Sequence, residues 1–217
     1  MADERELTIL MADLAGYTAL TEAHGSAEAA HVVACYLDLA ADAMVPGARL
    51  LERVGDELVF VGERAMVLVD TALRLRALVA CTPRFPRLRA GVHTGPVVVD
   101  GGRYVGHALN LAARVTAHAA PGQLLCTARV AAAASELPGV RYRSLGPVRL
   151  RHLVQPVAVY EVIGGGIRDT NAIDAVCRRQ IDPTADLALT RDGRRYVFCS
   201  PACRETFVRH PDDYAAL

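Results

Sequence analysis

The sequence contains no lysine. All 24 basic residues among its 217 positions are arginine. Phosphate-loop nucleotide hydrolases, protein kinases and Schiff-base or pyridoxal enzymes each need a primary amine on a flexible stem, which only lysine supplies. Those enzyme classes are excluded. Any phosphate group that a basic side chain holds must therefore be held by arginine.

Net charge and long apolar runs are also missing. Twenty-four acidic residues balance the 24 arginines, and no basic stripe carries interleaved aromatics, so we expect no nucleic-acid partner. The longest uncharged stretch, residues 115–128, contains Pro121 and is shorter than the about 20 residues of a membrane-spanning helix. The N-terminus is charged where a signal peptide would be positive and then apolar. We expect a cytoplasmic protein without a membrane partner.

The six cysteines are distributed unevenly. Three stand singly in apolar surroundings, as core cysteines do; these are Cys35, Cys81 and Cys126. The other three lie close to the C-terminus and are Cys177, Cys199 and Cys203. In a reducing compartment this clustering favours a metal site over disulfides.

Apolar periodicity divides the chain into two modules. Residues 1–163 alternate between strand-like and helix-like segments, which predicts an α+β or α/β fold. Helices are predicted over residues 26–44, 65–80 and 108–119, and strands over 8–14, 49–54, 58–61, 88–93, 96–99, 124–126, 140–145 and 157–162. The glycines at 164–166 predict a linker, residues 164–171. The remaining module, residues 172–217, is small enough to need a metal, disulfides or docking for stability.

Two aspartates stand at the ends of neighbouring predicted strands. Asp13 ends an apolar run, where an unpaired charge is costly, and Asp56 occupies a hairpin tip. Two carboxylates so placed can bind divalent cations together with substrate phosphates. In the alternative interpretation Asp13 caps a helix and Asp56 is a turn residue.

Five motifs around these aspartates occur in a characteristic order. They are ADLAGYT (12–18), VGDE (54–57), RAGVHTG (89–95), YVGHALNLAAR (104–114) and PGQ (121–123). Over residues 7–162 the chain resembles the catalytic domain of the class III nucleotidyl cyclases, the adenylate and guanylate cyclases. The resemblance implies a ferredoxin-like α+β fold and a homodimer with active sites at the subunit interface.

The resemblance also implies roles for five residues. Asp13, Asp56 and the carbonyl of Leu14 correspond to ligands of two Mg²⁺ or Mn²⁺ ions, which activate the ribose 3′-hydroxyl for attack on the α-phosphorus of ATP or GTP. Asn110 of the partner subunit would orient the ribose, and Arg114 would stabilise charge on the phosphates. Asn110 and Arg114 are four positions apart, so they share one helix face.

The residues that select the base depart from the adenylate cyclase pattern. Glu52 stands where those enzymes carry lysine, and Arg103 stands where they carry aspartate or threonine. This pair complements guanine, because a carboxylate accepts from N1–H and the exocyclic amine while arginine donates to O6 and N7. Alternatively, Glu52 and Arg103 pair with each other and fill the base pocket. Arg151 lies near the position of a phosphate-binding lysine in the family, and a solvated side chain is the alternative there.

The C-terminal cysteines belong to a second resemblance. Residues 172–214, with Cys177 followed by the CSPAC run at 199–203, resemble the YHS domain, a metal-binding module. Thiolates favour Zn²⁺ or Cu⁺, with water, an exogenous thiol or His210 as the fourth ligand. Arg178 and Arg179 replace the Gly-Met common in that family.

Two functions follow from these resemblances. The first is a homodimeric cyclase that forms a 3′,5′-cyclic purine nucleotide and pyrophosphate, joined to a structural or sensory metal module. The alternative is a catalytically weak cyclase homologue that binds nucleotide and acts as a metal-responsive regulator. Turnover of ATP or GTP distinguishes them.

Overall fold

A computed structural model describes residues 3–164, 171–184 and 187–214. Eight strands belong to the N-terminal region, residues 3–164: β1 (Asp3–Ala15), β2 (Arg49–Val54), β3 (Glu57–Gly62), β4 (Arg87–Asp100), β5 (Arg103–Val105), β6 (Leu124–Thr127), β7 (Arg141–Val148) and β8 (Val157–Ile163). Its helices are α1 (Tyr17–Ala43), α2 (Ala65–Cys81), α3 (His107–His118) and α4 (Ala128–Ala133). The C-terminal module, residues 171–214, has strands β9 (Ala172–Ile173), β10 (Gln180–Ile181), β11 (Ala188–Arg191) and β12 (Arg194–Val197) and helices α5 (Pro201–Arg209) and α6 (Pro211–Tyr214).

The N-terminal region is built on one sheet in the order β2-β3-β1-β4-β6-β8-β7, with β5 paired to β4. Its first six elements run β1-α1-β2-β3-α2-β4, and the pairs β2–β3, β3–β1 and β1–β4 are all antiparallel. This is the strand order of the ferredoxin-like fold. The parallel pairing of β6 with β4 then extends the sheet. The expected ferredoxin-like α+β class is confirmed.

The central strand β1 is buried on both faces. Leu10 and Leu14 pack into the core beneath α1 and α2, whereas Ile9 and Met11 pack against α3 on the opposite face. Alternating side chains of a strand point to opposite faces, so a strand covered on both sides becomes a continuous apolar run. That burial is why the run ahead of Asp13 is uninterrupted.

Gly91 allows α3 to cross β4 closely. A Cβ on this residue would lie 2.4 Å from the backbone nitrogen of Thr116. The Thr116 hydroxyl also donates to the carbonyl of Met11 at 3.3 Å. The glycine within the RAGVHTG motif therefore serves packing between helix and sheet rather than a turn.

Strands β1 and β7 extend beyond their predicted bounds, and three other segments also differ from the sequence-based expectations. Helix α1 begins at Tyr17, and Gly25 breaks it with φ 82° and ψ 167°, so the helix predicted to begin at Ser26 is the part of α1 after this kink. The two strands predicted over residues 88–99 form the single strand β4. Strand β5 was not predicted, because three residues are too few to show periodicity.

The C-terminal module has its own small core. Phe198 and Phe207 pack with their ring centroids 5.3 Å apart, and the three clustered cysteines are buried with them. Ala23 of α1 packs against this core from the N-terminal region. The predicted linker, residues 164–171, falls mostly outside the described residues.

The C-terminal module docks on the N-terminal region through its backbone and polar side chains. The amide of Gln180 donates to the carbonyl of Phe85 at 3.0 Å, and its side chain donates to the carbonyls of Val79 and Phe85. Arg179 forms an ion pair with Glu28 of α1. Among the described helices, none has both the length and the apolar run that crossing a bilayer requires.

Candidate active site and cysteine cluster

Asp13 and Asp56 lie together at one edge of the sheet. The β1–β3 pairing ends at Ala12 opposite Leu58, so Asp13 follows the last pair while the β2–β3 turn brings Asp56 beside it. The two carboxyl groups lie close enough for Asp13 to affect the protonation of Asp56. Burial, with the hydrogen bond and charge of Asp13 added to it, raises the pKa of Asp56 to about 7. Two carboxyl oxygens sharing one space form a donor set that suits a hard divalent cation.

Arg89 completes this cluster. It lies directly opposite Asp13 in the β1–β4 ladder, and its Nε donates to Oδ2 of Asp13 at 2.6 Å. The Leu14 amide donates to the Asp56 carboxylate. Glu57 is half-buried nearby, and burial followed by the charge of Asp13 raises its pKa. Arg89 thus pairs with Asp13, and its charge also acts on Glu57.

Tyr36 lies beneath the acidic cluster. It is fully buried on α1, and within the described part of the chain its hydroxyl has no hydrogen-bond partner. Burial, and then the charges of Asp13, Asp56 and Glu57, hold the pKa of Tyr36 well above its usual value. The phenol therefore stays protonated below the carboxylates.

Asn110 and Arg114 project from the side of α3 that faces away from its own core. Residues Ala108, Leu111, Ala112, Val115 and Thr116 form the buried side of that helix. Asn110 is exposed and Arg114 is half-buried. Within residues 3–164, 171–184 and 187–214, neither side chain forms a hydrogen bond or ion pair with Asp13 or Asp56. Within a single chain, Asn110 and Arg114 are thus separate from Asp13 and Asp56.

The residues expected to select the base are both at the surface. Glu52 lies on the edge strand β2 and Arg103 begins β5, and both are exposed. They form no ion pair with each other among the described residues. Arg151 is exposed in a turn between β7 and β8.

His93 and His107, the two histidines of the motifs, lie at positions that the surrounding structure explains. Nδ1 of His93 lies 2.9 Å from the Thr127 hydroxyl, and burial, followed by the charges of His107 and Arg129, lowers the pKa of His93 to about 4. Gly106 occupies the N-cap of α3. His107 is therefore the first residue of the helix and not its cap, because the chain enters the helix through a glycine with φ 149°.

A cleft of about 560 Å³ lies where the C-terminal module meets the β1–α1 turn. Its lining includes Gly16 and the arginines Arg87, Arg89 and Arg178. A Cβ on Gly16 would lie 2.3 Å from the Cβ of Arg178, so glycine at this turn allows the module to approach. The C-terminal module thereby adds a positive charge next to the acidic cluster.

Cys177, Cys199 and Cys203 form one buried cluster. The sulfur of Cys199 lies 3.4 Å from that of Cys177 and 3.7 Å from that of Cys203. Hydrogen bonds from the other two thiols, Cys177 first, lower the pKa of Cys203 to about 4. The three sulfurs converge as a soft-metal site requires.

Asp174 organises the backbone around the cysteines. Its Oδ1 accepts from the amides of Val176 at 2.7 Å and Cys177 at 3.0 Å, and its Oδ2 accepts from the amide of Cys199 at 2.6 Å. Next to Cys177, Arg178 has φ 63°, a left-handed conformation that glycine adopts without strain. The structure thus shows why a glycine would suit the position that Arg178 occupies.

Sequence reasoning missed five residues of these sites: Arg89, Glu57, Tyr36, Asp174 and His24. Arg89 could have been predicted from sequence, because it begins the RAGVHTG motif and strand register would place it opposite Asp13. His24 was not, because its ring nitrogen Nε2 meets the sulfur of Cys199 at 3.5 Å across 175 positions of sequence.

Comparison with known proteins agrees with both resemblances. Residues 172–217 match the family described as YHS domain. The chain is 35% identical over 167 residues to a protein named pH-sensitive adenylate cyclase from Mycobacterium tuberculosis, a match that covers 76% of this chain. The chain spans only 42% of the length of that relative.

The fold matches solved cyclase structures. The adenylyl cyclase CyaB from P. aeruginosa superposes with a TM-score of 0.65 at 19% identity, covering 78% of this chain and 98% of that one. The guanylyl cyclase Cya2 superposes with a TM-score of 0.63 at 24% identity, covering 76% and 94%. The chain therefore joins a domain related to the class III adenylyl and guanylyl cyclases to a C-terminal YHS domain.

Proposed function

We propose that the N-terminal region is the catalytic domain of a nucleotidyl cyclase that converts ATP or GTP to the 3′,5′-cyclic monophosphate and pyrophosphate. The observation that carries this proposal is the pairing of Asp13 and Asp56 in a partly buried site, where burial, and then Asp13, raise the pKa of Asp56 to about 7. Two carboxyl groups held together in a partly buried site repel each other when ionised. A divalent cation relieves that repulsion.

Asp13, Asp56 and the carbonyl of Leu14 are proposed to hold Mg²⁺ or Mn²⁺. Two bound ions would polarise the triphosphate and lower the pKa of the ribose 3′-hydroxyl. In the reaction a bond forms between the 3′-oxygen and the α-phosphorus, the bond from that phosphorus to the bridging oxygen breaks, and pyrophosphate leaves. The hydroxyl proton passes to solvent.

Arginines are proposed to hold the triphosphate. Arg89 and Arg178 line the cleft beside Gly16, the residue that precedes the first turn of α1. Arg114 would stabilise the charge that develops on the phosphates, and Arg151 is a further phosphate ligand in this proposal. A chain without lysine can supply this charge only through such residues.

The active site is proposed to form between two subunits. Asn110 and Arg114 face away from the core of their own chain, so a partner subunit can receive them next to its Asp13 and Asp56. Asn110 then orients the ribose for in-line attack. Closed twofold symmetry gives two equivalent sites in a homodimer.

The purine base is proposed to meet Glu52 and Arg103. Their exposure and the absence of an ion pair between them, among the described residues, favour binding of a base over mutual pairing. Their donors and acceptors complement guanine. Free thiols and a nucleoside triphosphate substrate both suit a cytoplasmic location.

Turnover tests the proposal directly. Purified protein is incubated with ATP or GTP and Mn²⁺ or Mg²⁺, and cyclic nucleotide is measured by mass spectrometry. We expect product from at least one nucleotide and its loss in Asp13→Asn, while Asp38→Asn, a change at an exposed acid on α1, keeps full activity. No product beside an active reference cyclase would favour the alternative of a nucleotide-binding, metal-responsive regulator.

A further inference from the structure

His24 of the N-terminal region lies beside the cysteines of the YHS domain. Its Nε2 is 3.5 Å from the sulfur of Cys199 and 3.6 Å from that of Cys203. One ligand atom from each of His24, Cys177, Cys199 and Cys203 lies within 4.8 Å of every other. The cluster therefore contains four convergent donors, and one of them comes from outside the YHS domain.

The separations between the ligand atoms agree with those of a tetrahedral zinc centre. With Zn–S bonds of about 2.3 Å and a Zn–N bond of about 2.05 Å, tetrahedral angles give S···S edges of about 3.8 Å and S···N edges of about 3.6 Å. The sulfur of Cys199 lies 3.4 Å from that of Cys177 and 3.7 Å from that of Cys203, and Nε2 of His24 lies 3.5 and 3.6 Å from the sulfurs of Cys199 and Cys203. Four of the six ligand separations thus agree with a tetrahedral centre, and the remaining two are no longer than 4.8 Å.

The rest of the interface keeps His24 in place. Ala23, next to His24, packs on the YHS core, and one turn further along α1 Glu28 pairs with Arg179. His24 is half-buried while the three cysteines are buried. The helix therefore presents the imidazole to the thiol cluster.

We propose that His24 is the fourth ligand of a Cys₃His zinc site that closes across the two domains. Three thiolates and one imidazole satisfy four-coordinate Zn²⁺ without water or His210. In this arrangement the ion links the YHS domain to α1 through coordinate bonds, in addition to stabilising the fold of the module.

The position of His24 connects this site to the acidic cluster. The segment of α1 before the kink runs from Tyr17 to His24, and the kink itself is at Gly25. Asp13 and Leu14 precede that segment, with only Ala15 and Gly16 between Leu14 and Tyr17. Zinc bound to His24 would therefore fix the C-terminal end of this segment. Its N-terminal end adjoins the proposed catalytic carboxylates. This consequence for catalysis rests on the proposed function, whereas the ligand assignment does not.

Zinc affinity and Co²⁺ spectra test the ligand assignment. The full chain is reduced, stripped of metal and titrated with Zn²⁺ against a chelator, for wild type, His24→Ala and the control His31→Ala, an exposed histidine after the kink of the same helix. Loss of a ligand should weaken zinc binding about 100-fold or more in His24→Ala and leave His31→Ala unchanged. Co²⁺ should give the intense visible bands of a tetrahedral S₃N site in wild type and His31→Ala only.

A second variant covers the case in which His24→Ala misfolds. His24→Cys should keep zinc affinity and increase the sulfur-to-cobalt charge-transfer absorption, because a fourth thiolate replaces the imidazole. Equal zinc affinity and identical Co²⁺ spectra in wild type, His24→Ala and His24→Cys would overturn the assignment. A reduced wild-type chain that binds no zinc would also overturn it.

Hydrogen exchange tests the connection between the domains. Zinc should slow amide exchange in residues 17–24 of wild type but not of His24→Ala, whereas a zinc ion confined to the YHS domain would protect residues 172–214 alone. That second pattern would contradict the closure across domains. Neither measurement depends on cyclase turnover, so the two proposals can fail separately.

Discussion

Arg89 stands directly opposite Asp13 in the β1–β4 ladder, and its Nε donates to Oδ2 of the aspartate at 2.6 Å. The guanidinium occupies the position of a counter-charge beside three acids. The metal-free site is thus held together by arginine, and a bound cation would share or replace that role.

We expect replacement of Arg89 to increase the electrostatic repulsion between Asp13 and the neighbouring acids, because their counter-charge is removed. Because the side chain of Arg89 is 37% exposed, we expect Arg89→Ala to lower the free energy of unfolding of the metal-free protein by only about 1 kcal/mol. Saturating Mg²⁺ should stabilise Arg89→Ala more than wild type. Thermal unfolding with and without Mg²⁺ measures both effects.

Arg74→Ala provides the control for that experiment. Its ion pair with Asp70 joins successive turns of α2 and lies at the surface. We expect no Mg²⁺-dependent difference from wild type there. An equal response to Mg²⁺ in Arg89→Ala and Arg74→Ala would show that Arg89 has no part in the cation site.

The raised pKa of Asp56 makes the metal-free protein less stable as pH rises. The pKa is 3.8 without the fold and about 7 in it, so the folded state binds more protons between these values. Unfolding free energy therefore decreases from about pH 4 to about pH 7. Asp56 is partly exposed, and screening reduces the expected change to about 1–2 kcal/mol.

Urea unfolding between pH 4.5 and 8 with a chelator present checks this prediction. Asp56→Asn should remove most of the decrease, because an amide does not titrate. Mn²⁺ affinity of wild type should rise with pH up to about 7 and then level off, since binding displaces the proton. A stability profile for Asp56→Asn that parallels wild type would contradict the assignment.

Mixing two inactive variants should restore activity if the site is shared between subunits. In a dimer of Asp13→Asn with Asn110→Ala, one site carries both changes and the other carries neither. Random exchange makes half of the dimers mixed, and each has one of two sites intact, so about a quarter of wild-type activity should return. Cyclic nucleotide formation measures it. No recovery, with exchange verified by mass spectrometry, would place both residues in one subunit's site.

Glu52 should control the choice of base. We expect Glu52→Gln to lower kcat/KM for GTP at least about 10-fold relative to ATP, because an amide leaves guanine donors without an acceptor. Glu63→Gln, at another exposed acid, should leave the ratio unchanged. Parallel kinetics with both nucleotides decide the point. An unchanged ratio in Glu52→Gln would remove this residue from the base site.

Gly16 should be essential for docking of the YHS domain. Alanine there meets Arg178 at 2.3 Å and has φ 86°, whereas alanine at Gly139 has φ 73° with open space around it. Gly139→Ala therefore measures left-handed strain alone, about 1–2 kcal/mol. Gly16→Ala should lose more stability and speed hydrogen exchange in residues 172–184. Equal effects of the two changes would show that the domains do not meet at Gly16.

Much of the fold could be predicted because its signals are local. Strand β2 (Arg49–Val54) has the predicted bounds. Helix α2 (Ala65–Cys81) differs from prediction by one residue at its C-terminal end, and α3 (His107–His118) differs by one residue at each end. Apolar periodicity and turn residues contain this information. The start of α1 was missed because Gly25 interrupts the pattern and makes the second half look like a separate helix.

The candidate active site was predictable in part. Asp13 and Asp56 came from their places at strand ends, and the structure brings them into contact. The raised pKa of Asp56, the ion pair with Arg89 and the buried Tyr36 depend on burial and on distances between elements, which periodicity does not report. The roles of Asn110, Arg114, Glu52, Arg103 and Arg151 stay predictions.

By itself, the sequence determined which elements form, the order of the motifs and the chemistry available to them, including the restriction of cationic side-chain phosphate contacts to arginine. These properties depend on neighbouring residues and on composition. Only the tertiary structure decided that His24 joins Cys177, Cys199 and Cys203, and that Arg178 reaches the turn at Gly16. Contacts between segments so far apart arise from how the YHS domain packs on α1 and β4, and no local pattern encodes that packing.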